Sequence, residues 1–534
     1  MLRLTEVRIP FDHTETELIS EICKKLRIPV KALLNYTIFR RGVDARKSHA
    51  IMFVYTVDFE VADEGRLLAK YAKKTWLKPT PDTSYQFVAH ASEPMQAPRP
   101  VIIGLGPAGL FAGLILAQSG FRPIILERGK SVRERARDTF AFWRTGALDP
   151  ESNVQFGEGG AGTFSDGKLN SQIKDRKHYG RKVLAEFVKA GAPPEIMYVS
   201  KPHIGTYKLI GIVEKMRAEI LALGGGIRFE SRVDDIEVED GCVRGVVLAS
   251  GERLATNHLI AAIGHSARDT FEMLLRRGVY MEPKPFSIGF RIEHPQELID
   301  RSRHGKEAKN PLLGAADYKL VHHASNGRSV YSFCMCPGGA VVASSSEAER
   351  VVTNGMSQYA RKGPNANSAL VVGLSPEDYP EGPLGGVAFQ RIWESRAFEL
   401  GGKDYCAPGQ LVSDFLRGRP SFSLDSVEPS YTPGVNLCDL STALPDYAID
   451  AIREAIPAFG KQIKGFDLAG AVLTAVESRT SSPVCLKRNL DDLQSITMKG
   501  FYPTGEGAGY AGGILSSAVD GITVAEAVAV SLMG

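Results

Sequence analysis

Residues 101–129 read VIIGLGPAGLFAGLILAQSGFRPIILERG, and this stretch decides the fold of the chain. The apolar run Val101–Ile103 predicts a buried parallel strand, and Ile124–Leu126 predicts a second one. Between them, glycines at the start of a predicted helix have the spacing G-x-G-x-x-G: Gly104, Gly106 and Gly109. In a strand–turn–helix unit these glycines permit a tight turn, the approach of a pyrophosphate and close packing of helix on strand. The stretch therefore predicts a βαβ unit that binds a dinucleotide.

An acidic residue follows the second strand where a dinucleotide-binding unit needs one. Glu127 ends that strand, and we expect its carboxylate to accept hydrogen bonds from ribose hydroxyls, while the helix N-terminus faces the phosphates. Residues 100–121 contain no charged residue, so their length alone would also suit a membrane span. The glycines near the start of this run, and Arg122 directly after it, favour the nucleotide turn. We expect three neighbours to line the same site: Pro107, Ala108 and Arg128.

Length and composition indicate an ordinary globular chain. Its 534 residues suit two or three domains, and the hydrophobic share of 43% and charged share of 23% are typical of such chains. A net charge of +3 gives no whole-chain argument for nucleic acid binding. The seven cysteines are scattered and odd in number, which argues against a disulfide framework. Residues 1–17 lack the apolar core of a signal peptide, so we expect a cytoplasmic location away from membranes.

Residues 1–95 predict a small N-terminal α/β domain. Thr14 and Glu17 have the spacing of a capping box at the start of a helix. The remaining predicted elements are strands at 2–9, 35–39 and 51–61 and a helix at 64–74. A basic turn at 40–47 suggests a solvated hairpin loop, with an anion or a protein partner as the alternative. The proline-rich residues 92–100 suggest a linker.

Residues 96–280 predict the first part of the nucleotide-binding domain. A glycine-rich stretch at 153–170, NVQFGEGGAGTFSDGKLN, contains embedded aromatic residues. These favour an ordered loop that covers a ligand over a flexible surface loop. The other predicted elements are helices at 131–144 and 207–223 and strands at 227–229, 233–238, 242–248, 253–254 and 259–262.

The rest of the chain predicts an insertion followed by a return to the first pattern. Residues 281–470 contain prolines, short strands and long loops, which are typical of a substrate or cap domain, with helices expected at 347–361 and 386–400. Residues 471–534 complete the nucleotide-binding domain. There the stretch 500–513, GFYPTGEGAGYAGG, predicts a strand and a glycine turn, and 514–532 predicts a helix. We expect this second helix N-terminus to contact the same nucleotide.

Taken together, these segments resemble the FAD-binding flavoproteins of the glutathione-reductase-like superfamily. LIAAIGHSA, residues 259–267, resembles their second nucleotide-contact strand, and PTGEGAGYAGG, residues 503–513, resembles their C-terminal flavin segment. The acid of that segment is usually Asp, whereas this chain has Glu506. The resemblance implies a Rossmann-like α/β fold with an inserted α+β domain and non-covalent FAD. It adds these residues to the cofactor site: Gly160, Val233, Gly264, Gly505, Glu506, Gly513 and Ile514.

A narrower resemblance covers nearly the whole chain. VDARK, FGEGGAGTFSDGKL, FCMCPGG, TNGMS, ANSALVV, ESRTSSPV and GEGAGYAGGI are similar to motifs of bacterial FAD-dependent dehydrogenase-like proteins of unassigned substrate. The resemblance implies a FAD protein and names no substrate, because a fold does not specify a reaction.

Five residues are candidates for catalysis. Lys168, or the helix start at Ile514, would stabilise an anionic reduced flavin, although a solvent-facing lysine is an equal alternative. His265 suits acid–base chemistry, but a structural cap of its turn is favoured. Arg479 would clamp a substrate carboxylate or form a structural salt bridge.

Cys334 and Cys336 form a Cys-x-Cys pair that allows a redox disulfide, a soft-metal site or two reduced thiols. We favour reduced thiols, and we predict no metal site because the sequence shows no clear further ligands.

The sequence thus predicts a FAD-dependent oxidoreductase of unknown small-molecule substrate. The alternatives are a flavin-dependent RNA-modification protein anchored by the basic turn, and a non-catalytic flavin scaffold whose N-terminal domain docks a protein partner. Residues 281–470 show no second βαβ signature, so we expect no high-affinity NAD(P)H site. The sequence assigns no oligomeric state.

Overall fold

A computed structural model describes residues 1–92, 98–171 and 173–534. Most of the predicted linker at 92–100 lies outside the described residues. The fold is mixed α/β with several sheets.

The N-terminal segment forms a four-stranded antiparallel sheet in the order β2-β3-β1-β4. Its elements are β1 Leu2–Pro10, α1 Glu15–Leu26, β2 Leu33–Asp44, β3 Met52–Val61, α2 Glu64–Lys70 and β4 Leu77–Pro79. The predicted capping box is confirmed, because the Thr14 hydroxyl accepts from the Glu17 N–H and the Glu17 carboxylate accepts from the Thr14 N–H. Alternate residues of β1 and β3 pack against the buried stripe of α1.

The predicted basic turn at 40–47 is partly strand, which corrects the expected hairpin loop. β2 continues to Asp44 because it pairs with β3 along its length. The Arg41 N–H donates to the Tyr198 carbonyl at 2.7 Å, and the Ser200 N–H donates to the Arg41 carbonyl at 2.9 Å. The N-terminal sheet is therefore joined through β2 to the segment that precedes α6, defined below.

The described residues of 98–280 begin with a strand–helix–strand unit and continue with three α-helices, five strands and a further α-helix. Their elements are β5 Val101–Ile103, α3 Pro107–Gln118, β6 Ile124–Leu126, α4 Val132–Thr145, α5 Tyr179–Lys189, α6 Thr206–Ala222, β7 Gly226–Arg228, β8 Val233–Glu239, β9 Cys242–Leu248, β10 Arg253–Ala255, β11 Leu259–Ala261 and α7 Arg268–Arg276. β8, β9 and β10 form a separate three-stranded antiparallel sheet.

The next segment builds the largest sheet, in the order β14-β15-β18-β13-β21-β19-β20. The elements are β12 Met281–Pro283, β13 Phe286–Pro295, α8 Gln296–His304, β14 Val321–His323, β15 Ser329–Cys336, β16 Gly339–Ala343, β17 Thr353–Ser357, β18 Asn365–Leu374, α9 Gly385–Leu400, β19 Ala407–Leu411, α10 Val412–Arg417, β20 Val435–Leu437, α11 Asp446–Gln462, β21 Val472–Glu477 and β22 Val484–Leu486. The largest apolar core lies between this sheet and its helices.

Two predictions for this segment need correction. The expected helix at 347–361 is wrong: β17 lies there and forms a hairpin with β16, because the β-branched run at 351–353 and the glycine at 355 favour strand over helix. The expected domain boundary at residue 470 does not match sheet membership, since β21 pairs with β13 and β19 inside the seven-stranded sheet.

The C-terminal residues return to the first sheet. β23 Phe501–Pro503 completes a parallel sheet in the order β23-β11-β5-β6-β7, and α12 Ile514–Met533 packs against α3. In length and composition α12 would suffice to cross a membrane, and 72% of its apolar window is buried inside the protein.

Candidate functional site

A cavity of about 510 Å³ opens at the carboxyl ends of β5, β6, β11 and β23. In a parallel sheet the loops after the strands meet at this edge, which is where α/β folds bind ligands. Apart from Gly109 and Cys336, every residue predicted for the cofactor or catalytic site lines this cavity.

The glycine turn after β5 forms one end of the cavity. Gly104 has φ +95°, and a Cβ there would collide with the Ala262 carbonyl. Gly109 does not line the cavity. It allows the turn to pack closely, because a Cβ at this position would overlap the Gly104 carbonyl. Within the described residues no side chain caps α3 at Gly106. The first-turn N–H groups of α3, beyond Pro107, are thus available to phosphate oxygens.

Glu127 is buried beside this turn and connects three segments. Its carboxylate accepts the N–H groups of Leu105 at 2.8 Å, Gly129 at 3.0 Å and Gly157 at 2.9 Å. The side chain therefore fixes the turns after β5 and β6 and one point of the glycine-rich loop, while it also faces the cavity.

The glycine-rich loop at 153–170 is ordered by a buried arginine of α4. The Arg135 guanidinium donates to the carbonyls of Asn153 at 2.7 Å, Val154 at 2.6 Å and Glu158 at 2.7 Å. Gly160 and Lys168 of this loop reach the cavity.

Arg128 lies at the cavity wall with its charge already paired. Its guanidinium forms ion pairs with Glu151 at 2.8 Å and Asp269 at 2.9 Å and stacks 4.1 Å from the Phe156 ring centroid. Arg128 therefore connects α7, through Asp269, to the glycine-rich loop at 153–170, through Phe156.

The C-terminal glycine turn forms the opposite wall. Cβ atoms at Gly264 and Gly513 would meet no atom within 4 Å, so both positions face open space. Within the described chain no side chain caps α12 at Gly513, which leaves a second helix N-terminus directed at the cavity. Glu506 sits beside it, and burial raises the pKa of this carboxyl to about 7. The other predicted residues Val233, Gly505 and Ile514 also line the cavity.

His265 is neutral at physiological pH. Burial, together with the charges of Arg479 and Arg268, lowers the pKa of its imidazole to about 3. Its Nδ1 lies 2.9 Å from the Ser266 hydroxyl, and its Nε2 lies 4.0 Å from Glu506. A neutral ring bonded to the hydroxyl of its own turn agrees with the favoured structural role.

Arg479 is engaged in a buried ion-pair cluster, so the interpretation as a free carboxylate clamp needs correction. Its Nε and Nη2 each donate to Glu394 at 3.0 Å, and its Nη1 donates to Ser266 and Ser346. Glu394 also receives Arg268, and these two arginines hold the pKa of its carboxyl well below the usual range. Both donor edges of Arg479 are occupied, as in a structural salt bridge.

Lys168, Cys334 and Cys336 converge at the far wall. Lys168 Nζ lies 3.9 Å from the sulfur of Cys334, 3.9 Å from that of Cys336 and 3.3 Å from Asp166. Burial opposes the charged lysine, but the negative charges of these neighbours raise its pKa. Cys334 faces the cavity, whereas Cys336 is fully buried behind it.

Three site residues were absent from the predicted set. Glu477 lines the cavity at the end of β21, and burial raises the pKa of its carboxyl to about 7. Arg291 on β13 donates to Glu477 at 3.3 Å, and Asp166 pairs with Lys168 and Arg361. A weak signal for Arg291 existed, because this charged residue lies between the apolar residues Phe290 and Ile292 of the strand. Across the described ranges, no cluster of three or more His, Cys, Asp or Glu side chains suited to a metal ion is present.

Comparisons with known proteins extend these observations. The family described as FAD-dependent protein, C-terminal domain-like, matches residues 285–480, and a domain of unknown function matches residues 1–60. An uncharacterized protein of Clostridium beijerinckii is 48% identical over 533 residues, which span 98% of each chain.

Solved structures match at low identity. CtdE in complex with FAD is 13% identical, with 82% of this chain and 84% of that chain covered and a TM-score of 0.31. The flavin-dependent brominase Bmp2 is 12% identical, with 82% and 79% covered and a TM-score of 0.37. Glycine oxidase from Bacillus cereus is 12% identical, with 82% and 95% covered and a TM-score of 0.30.

Proposed function

The chain belongs to the same family as the uncharacterized Clostridium beijerinckii protein, and because residues 285–480 also match a family of FAD-dependent proteins, we propose that it is an oxidoreductase acting on a small molecule. FAD is the cofactor, which confirms the predicted one. The observation that carries the proposal is the cavity of about 510 Å³, which joins a dinucleotide turn to a wall of titratable side chains.

The residues fit the two ends of a flavin dinucleotide. Uncapped N–H groups of α3 would hold the pyrophosphate, and Glu127 would accept from ribose hydroxyls. FAD supplies the two-electron chemistry when bound, and the protein positions it and tunes its charge. Lys168 would place positive charge, and the N-terminus of α12 a partial positive charge, at the far end.

The proposed chemistry needs groups that hold or move a proton near neutral pH. Glu477 and Glu506 both line the cavity, and burial raises the pKa of each to about 7. A carboxyl with such a pKa exchanges protons efficiently at physiological pH. We propose that one of them serves as the general acid or base, while neutral His265 supports the turn.

We further propose that the seven-stranded sheet supplies the substrate side and is inserted between the two parts of a glutathione-reductase-like FAD domain. The seven cysteines all lie in the part of the chain that the structure describes and are free thiols there, which supports the proposed cytoplasmic setting. A protein partner for the N-terminal domain stays a prediction, and so does the absence of a nucleic acid partner.

The test is anaerobic rapid mixing of the FAD-loaded protein with panels of small thiols, amino acids and hydroxy acids, followed by flavin absorbance. We expect saturable bleaching by at least one class, and its loss in Glu477→Gln or Glu506→Gln with bound FAD unchanged. An exposed carboxylate variant, Glu239→Gln, is the control. Absence of bleaching by every donor, with no reoxidation of the reduced protein by acceptors other than oxygen, would favour the scaffold alternative.

A further inference from the structure

The two thiols of β15 lie together because the strand is irregular at Cys334. Regular pairing of β15 with β18 shifts between Phe333 and Cys336, and Cys334 has φ +44°. Both sulfurs consequently lie 3.9 Å from Lys168 Nζ, with Cys334 at the cavity and Cys336 behind it.

Two cations surround this pair. Lys168 contacts both sulfurs, and Arg291 Nη2 lies 3.9 Å from Cys336 Sγ while it donates to the Cys334 carbonyl at 3.0 Å. Arg291 is fully buried, and burying a cation is costly unless anionic partners stay near it. The arrangement therefore favours a negative charge on the pair in addition to that of Asp166.

The two thiols differ in protonation. A hydrogen bond from Cys336 and the charges of Lys168 and Arg291 hold the pKa of Cys334 well below its usual value, against the effect of burial. The same hydrogen bond and burial raise the pKa of Cys336. A thiolate at the cavity and a thiol behind it are the two forms that disulfide exchange requires.

We propose that Cys334 and Cys336 form a dithiol–disulfide couple that exchanges two electrons with the FAD held in the same cavity. This inference deepens the proposed oxidoreductase function and rests on it. In the oxidising direction, the Cys334 thiolate and the Cys336 thiol form one S–S bond. Two electrons and the Cys336 proton pass to oxidised FAD, which becomes the singly protonated reduced anion. The reverse step restores the thiolate and the thiol, so atoms and charge balance without another reactant.

Among the residues that the structure describes, no cysteine outside this pair lines the cavity. This difference supplies a matched control, Cys438→Ser, because Cys438 is a half-buried free thiol of the same seven-stranded segment.

The experiment counts electrons and thiols in the full-length FAD-loaded protein. The protein is oxidised with diamide, desalted and titrated anaerobically with dithionite. Flavin absorbance is recorded throughout, and free thiols are counted in denaturant before and after the titration. We expect the wild type and Cys438→Ser to take up about four electrons per FAD and to gain about two thiols, since each couple carries two electrons. Cys336→Ser should take up about two electrons and gain no thiol, and Cys334→Ser is the second variant if Cys336→Ser loses FAD.

A spectrum at half reduction distinguishes contact with the flavin from an isolated couple. A thiolate against oxidised flavin gives a long-wavelength charge-transfer band, which we expect in the wild type and Cys438→Ser and not in Cys334→Ser.

Uptake of only about two electrons by the wild type, with unchanged thiols, would overturn the proposal. Uptake of about four electrons without the band would overturn the contact with FAD. Neither readout needs a substrate, so failure to find turnover would contradict the proposed function and leave the couple standing.

Discussion

Replacing Glu127 with alanine removes the acceptor of three backbone N–H groups at once. Those of Leu105, Gly129 and Gly157 donate to it at 2.8, 3.0 and 2.9 Å. A buried donor left unpaired costs about 1–3 kcal/mol, and water entering from the cavity offsets part of this, so we expect the ligand-free protein to lose about 2–4 kcal/mol of unfolding free energy. Loss of hydrogen bonds from the ribose to a charged group should weaken FAD binding by about 1.5–3 kcal/mol, or about 10- to 150-fold in Kd.

Two measurements on each variant separate these effects. Urea unfolding followed by circular dichroism gives the free energy of unfolding, and quenching of flavin fluorescence during reconstitution gives Kd. Glu127→Gln retains one acceptor oxygen and should lie between wild type and Glu127→Ala in both. Glu239→Ala removes an exposed carboxylate of β8 and should change stability by less than about 0.5 kcal/mol. A folded Glu127→Ala protein that binds FAD with the wild-type Kd would show that Glu127 does not hold the ribose of FAD.

Other predictions follow from the same structure. Glu394→Gln removes the buried carboxylate that pairs with both Arg268 and Arg479 and leaves Glu347, which is partly exposed, as their remaining anionic partner. Urea unfolding should therefore show a loss of about 3 kcal/mol, and a loss below about 1 kcal/mol would contradict the ion-pair cluster. Burial raises the pKa of Glu477 from 4.5 to about 7, so the folded protein binds this proton more tightly than the unfolded chain. This contribution is complete below about pH 4.5 and is lost as pH rises through about 7, so wild-type stability should fall by about 3 kcal/mol more than that of Glu477→Gln over this range. Acid precipitation should release all flavin, whereas flavin in the pellet would reveal a covalent bond. Anaerobic stopped-flow mixing with NADH or NADPH should show no saturable bleaching at micromolar nucleotide, and such bleaching would indicate a nicotinamide site.

The βαβ unit could be predicted from sequence because its constraints are local. Gly104, Gly109 and Glu127 act on residues near them in the chain or in the adjacent turn, and strand, helix and acid follow in a fixed order. The capping box of α1 was predictable for the same reason. FAD as the cofactor was implied by the resemblance of this unit and the C-terminal glycine segment to FAD-binding flavoproteins, and not by the glycine spacing alone.

The far wall of the cavity depends on contacts between distant residues, which spacing does not encode. Lys168 meets Cys334 because a loop and a strand 166 positions apart converge. The engagement of Arg479 by Glu394 depends on the packing of α9 against the end of β21. The helix expected at 347–361 was wrong for a related reason. This segment begins with charged residues that suit a helix, but its later residues pair with β16 in a hairpin, and that pairing determines their conformation.

We propose that the cavity at the strand ends holds FAD between the Gly104–Gly109 turn and the wall of Lys168 and Cys334. A crystal structure of the protein with its copurified flavin tests this most directly. We expect the pyrophosphate at the N-terminus of α3, a ribose hydroxyl on Glu127 and the flavin ring in contact with the Cys334 sulfur. FAD bound elsewhere, or a ring directed away from Lys168 and Cys334, would contradict it.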